Sequence, residues 1–110
     1  MLIRSQNKEV LVLLETLLSI EASGGVISAR RDMGWNCLLG KYSTKAKAMK
    51  VLDMIQDAYA EIYMLVNVFG NIGIMPLKNS DQNAFRNIKN DFQTKIVFHM
   101  PQDSEVESDR

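Results

Sequence analysis

From Ser43 to Phe69 the chain contains neither glycine nor proline, and this uninterrupted stretch constrains the fold more than any other feature. Ser43 or Thr44 supplies an N-cap oxygen for a free N–H of the first turn. Behind it Ala48, Leu52, Ile55, Tyr59, Ile62, Val66 and Phe69 recur at alternating steps of four and three. That spacing predicts a helix of about 26 residues, ~39 Å long at 1.5 Å per residue. Val51, Met54, Ala58 and Leu65 widen the seam into a broad apolar stripe, suited to covering a sheet or meeting a second helix. Ile55, Tyr59, Ile62, Val66 and Phe69 are the residues that a homodimer built on this seam would use. Gly70 is placed to end the helix in a left-handed conformation.

The first forty residues read differently. Leu2-Ile3-Arg4-Ser5 suggests a short strand, and Gly24-Gly25 between two apolar runs signals a hairpin, because primed turns need positive φ. Residues 9–20 fit both periods, with apolar residues at 10, 13, 14, 17, 18 and 20 also falling on one helical face. The downstream hairpin tilts the reading toward an antiparallel meander of four or five strands. After a connector at residues 70–76, residues 81–91 suggest a short second helix capped by Ser80, and residues 94–100 a closing strand stopped by Pro101. The expected fold class is therefore α+β: an antiparallel meander packed on one long amphipathic helix, with a short second helix and a closing C-terminal strand. A pleckstrin-like half-barrel is one version of it. Residues 1–101 make a single domain, and residues 102–110, with four acids and one arginine, a disordered acidic tail.

The opening Met1-Leu2-Ile3-Arg4-Ser5-Gln6, the run Leu38-Leu39-Gly40-Lys41-Tyr42-Ser43-Thr44-Lys45 leading into Val51-Leu52-Asp53-Met54-Ile55-Gln56, and the ending Val97-Phe98-His99-Met100-Pro101 form a set. Together they resemble a family of small uncharacterised proteins found in phages, prophages and mobile elements of Firmicutes. The resemblance covers about half of the chain. It implies a strand, a tight turn around Tyr42, an amphipathic helix and a closing strand, and it favours strands in residues 9–20. It supplies no catalytic residue. Residues 63–91 have no counterpart in the shorter members, and the second segment is richer in leucine than the pattern.

Chemistry is sparse. Thirteen basic residues offset thirteen acidic ones, so no overall field draws the chain to nucleic acid or to a membrane. The lone Cys37 excludes an intrachain disulfide, and the lone His99 has no second imidazole or thiol at ligand spacing. No segment reaches the ~20 apolar residues of a membrane helix, and nothing at the N-terminus resembles a secretory signal, which suggests the cytoplasm. Asp53, Asp57 and Glu61 share a helix face and read as a solvated row. No catalytic residue, metal site or cofactor is expected, and the chain is read as a non-enzyme.

One local imbalance stands out. Arg30, Arg31, Lys41, Lys45, Lys47 and Lys50 fall within 21 residues whose single acid is Asp32. If the strands ending at Arg30 and Tyr42 pair, these cations are expected to gather at the helix start as one anion-binding or partner-binding patch, against the sense of the helix dipole. The anion would be an acidic partner, the chain's own acidic tail, or phosphate. The leading expectation is a phage or mobile-element accessory protein that binds a host or phage protein, an inhibitor of a host defence system being one such case. The alternative is a nucleic-acid-associated factor using the basic patch.

Overall fold

The computed structural model describes residues 1–72 and 96–107. Six short strands and one long helix form a mixed α+β fold, in the order β1 (Leu2–Arg4), β2 (Leu11–Leu13), β3 (Ser19–Ser23), β4 (Val26–Arg30), β5 (Asn36–Lys41), α1 (Lys45–Ile72) and β6 (Val97–His99). Thr44 is the N-cap, its Oγ1 accepting the Lys47 N–H at 3.1 Å. The helix runs for 28 residues, through Gly70, so that glycine does not end it. The second helix expected at residues 81–91 and the connector at 73–76 lie outside the described residues.

The five N-terminal strands do not form one meander. With β6 they make two three-stranded sheets, β2-β1-β6 and β3-β4-β5. A 3-10 turn at Leu14–Thr16 separates β2 from β3 and breaks the ambiguous segment 9–20 in its middle. The closing strand β6 runs parallel to β1, with Leu2 beside Val97, Ile3 beside Phe98 and Arg4 beside His99. A strand thus follows the helix in the chain, which a half-barrel plugged by its final helix would not allow.

The Gly24-Gly25 hairpin forms as read, joining Ser23 to Val26. Gly24 carries the positive φ, 61°. Gly25 serves a different need: a Cβ there would run into the Tyr42 carbonyl, because Gly25 lies against the chain where it leaves β5. The Tyr42 N–H donates to the Gly25 carbonyl at 2.7 Å.

Between β4 and β5 the register slips, so that Ile27 faces Gly40 while Ser28 faces Leu38. Leu39 is the extra residue of this bulge. Its carbonyl accepts the Gln6 N–H at 2.8 Å. The Gln6 side chain then pairs with both backbone groups of Lys41, accepting at 2.9 Å and donating at 3.0 Å. One glutamine at the end of β1 thereby stitches the first sheet to the edge of the second.

Both sheets and the helix share one core. Ile3 and Val12 come from the first sheet, Ile27, Ala29 and Leu39 from the second, and Ala48, Val51, Ile55 and Ile62 from α1. Strand alternation explains the selection, since Ile27 and Ala29 project to one face while Ser28 and Arg30 project to the other. The helix covers β3 and β4. Ile3, Ile27 and Val51 are completely excluded from solvent, which places the burial energy, ~25 cal/mol per Å² of apolar surface, at the meeting of all three layers.

Candidate interaction surface

At the start of α1 the three motifs converge. The Tyr42 hydroxyl donates to the Pro101 carbonyl at 2.8 Å, and Gln6 Nε2 donates to the same oxygen at 3.3 Å. Gly40 is packed so closely that a Cβ there would sit 3.1 Å from the Tyr42 ring and 3.3 Å from the Met100 terminal carbon. Burial pushes the Tyr42 phenol up to about 12, helped by the negative charge of Asp103 and Glu105. The resemblance motifs therefore coincide with a structural junction.

Residues 102–107 are folded, which corrects the expectation of a disordered tail over that part. A 3-10 turn spans Asp103–Glu105, closed by a capping box between Gln102 and Glu105. Val106 is buried in the common core. Asp103 Oδ1 accepts the Ser43 N–H at 2.8 Å, while Lys47 Nζ donates to the Asp103 carbonyl at 3.0 Å and lies 3.6 Å from Oδ2. The Ser43 N–H bond, followed by the Lys47 charge, holds the Asp103 carboxyl below its ordinary value against the opposing effect of burial. The first turn of α1 contains no acid, and the tail supplies one.

The single basic patch does not form. Antiparallel pairing sets Arg30 opposite Asn36 and Lys41 opposite Val26, so the two ends of the β4–β5 hairpin are ~14 Å apart at 3.4 Å per residue. At one end, exposed Arg30 pairs with Glu21 at 3.3 Å, and the Arg31 guanidinium lies 4.5 Å over the Trp35 ring. The Ser19 hydroxyl, and after it Arg30, holds Glu21 below the usual carboxylate range. At the other end Lys41 and Lys45 are exposed, Lys47 is committed to Asp103, and half-buried Lys50 lies on the outward side of α1 with Asp53 and Asp57.

The proposed dimer seam is largely used inside the chain. Ile55 and Ile62 are buried in the core, and half-buried Tyr59 packs against it. Val66 is 50% exposed, and the Phe69 side chain lies outside the described residues. Met54, counted in the apolar stripe, is exposed instead, as are Met49 and Met64. Cys37 is half-buried against the core and His99 is exposed. Among the described residues no group of three or more His, Cys, Asp or Glu is arranged to hold a metal ion, and no helix is long and apolar enough to cross a membrane.

The surface that sequence reading missed is the outer face of the sheet β2-β1-β6. Strand register puts Leu13, Leu2 and Val97 in one row across it and Leu11, Arg4 and His99 in the next. Leu11 is 50% and Leu13 44% exposed, whereas Val12 between them is buried. Leu2 and Val97 are half-exposed, and Arg4 and His99 are exposed. The available signal was the alternation Leu11-Val12-Leu13 inside a segment unusually rich in leucine. Comparison of the chain with family models, with curated proteins and with solved structures returns no match.

Proposed function

We propose that this chain is a non-enzymatic accessory protein that works by binding another protein through the outer face of β2-β1-β6. The observation that carries the reading is the pair Leu11 and Leu13, whose side chains stand in solvent on a face whose described residues lie outside the core. Clustered apolar side chains on an outer sheet face cost solubility and are characteristic of binding surfaces. The resemblance to phage and mobile-element proteins fits an accessory of this kind, and capture of a host defence protein is one form of it. Binding of nucleic acid through Arg30, Arg31, Lys41, Lys45, Lys47 and Lys50 is the weaker reading, because these cations are divided between two ends of a hairpin and partly neutralised by Glu21 and Asp103.

The test is capture from a lysate of the cell that carries the gene, with immobilised wild type beside the Leu11→Ser/Leu13→Ser variant. The reading expects a protein retained by wild type and lost by the variant. Equal retention by both contradicts it.

A further inference from the structure

We infer that the partner docked on this face is an amphipathic helix with aliphatic residues along one side and carboxylates toward one end. The inference rests on the reading of the face as a protein-binding surface and adds the chemistry of its occupant. Three strands at about 4.8 Å spacing make a strip ~10 Å wide, which matches the ~10 Å diameter of a helix with its side chains. Leu13, Leu2 and Val97 form an apolar row, and Leu11 extends it toward Arg4 and His99.

Among the described residues the uncompensated charge lies at one end, because at the other the Met1 ammonium and Glu15 pair at 2.8 Å. Arg4 Nε donates to the Lys8 carbonyl at 2.9 Å, fixing the guanidinium beside the turn that joins β1 to β2. That turn is rigid: Lys8 N–H donates to the Ser5 carbonyl at 2.9 Å, and Asn7 Oδ1 accepts from both the Ser5 hydroxyl and the Glu9 N–H. Lys8 itself is held at φ 69°, the one non-glycine residue with positive φ among the described residues. Strain of this kind persists where the surroundings enforce it and gathers at functional positions. Arg4 and Lys8 against Glu9 leave this end at +1, two cations less one acid. Among the described residues no acid forms an ion pair with Arg4 or Lys8. A partner carboxylate at this end completes the guanidinium's hydrogen bonding, while aliphatic side chains cover the leucine row.

The experiment uses two synthetic helical peptides followed by fluorescence anisotropy. Both carry leucine at i, i+3, i+4 and i+7, one has glutamates at one end, and the other has lysines in their place. Wild type is expected to bind the acidic peptide about tenfold more tightly than the basic one, Arg4→Glu to abolish or reverse that ranking, and Leu13→Ser to weaken both. Equal affinity for the two peptides, a preference that survives Arg4→Glu, or binding of neither peptide overturns the inference. Should the lysate capture still depend on Leu11 and Leu13 in that case, only the partner chemistry fails; should that dependence be absent too, the surface itself is wrongly assigned.

Discussion

The Tyr42 hydroxyl, carried by the residue that leaves β5, donates to the carbonyl of Pro101, 59 residues later in the chain, at 2.8 Å. This bond ties the entrance of α1 to the exit of β6. Replacing it removes a donor from a carbonyl that Gln6 still reaches at 3.3 Å, so Tyr42→Phe should cost about 1 kcal/mol, measured by urea denaturation at neutral pH.

The same phenol gives a pH signature. Its folded value is raised to about 12 from an ordinary 10, so the folded state keeps a proton that the unfolded chain releases. The contribution is complete below pH 10 and is lost as pH rises from about 10 to about 12. Tyr42→Phe should therefore lose less stability than wild type across that window, and parallel curves would show that the phenol is not protected.

Asp103 behaves in the opposite sense. Its carboxyl is held low by the Ser43 N–H and Lys47, so its contribution is present above the ordinary aspartate value and disappears as pH falls through the lower folded value. Asp103→Asn should lower the thermal midpoint at pH 7 and leave it nearly unchanged at pH 2. An equal loss at both pH values would mean that packing, and not charge, is what the substitution removes.

The two adjacent glycines should respond differently. Nothing lies within 4 Å of a Cβ built on Gly24, whose demand is its φ of 61°, and asparagine tolerates that region. At Gly25 a methyl group meets the Tyr42 backbone. Gly25→Ala should cost ~1–3 kcal/mol, as overpacking against an immovable group does, and Gly24→Asn clearly less. The comparison of urea midpoints decides it.

Much of this architecture is legible in the sequence because its signals are local. Thr44 announces its helix, Gly24-Gly25 its hairpin, and the spacing from Ala48 to Ile62 the buried face of α1. What escapes is decided by contacts distant along the chain. The parallel pairing of β1 with β6 joins residues about 95 positions apart, and no periodicity records it. The bulge at Leu39 frees a carbonyl that accepts the Gln6 N–H, from a residue 33 positions earlier in the chain. The cluster of six cations looked like one patch because sequence distance conceals the antiparallel geometry that sends Arg30 and Lys41 to opposite ends. At the helix start Lys47 and the Ser43 N–H meet the chain's own Asp103. In residues 9–20 the apolar content belongs partly to the core, through Val12, and partly to the surface, through Leu11 and Leu13. Composition does not separate those roles.

That separation is the central claim, and urea denaturation of two variants of β2 tests it most directly. Leu11→Ser/Leu13→Ser should unfold within ~0.5 kcal/mol of wild type, as surface substitutions do, while Val12→Ala should lose ~1–2 kcal/mol through the cavity it opens. A loss of several kcal/mol in the double serine variant would show that these leucines are core residues and that the face has no partner to find.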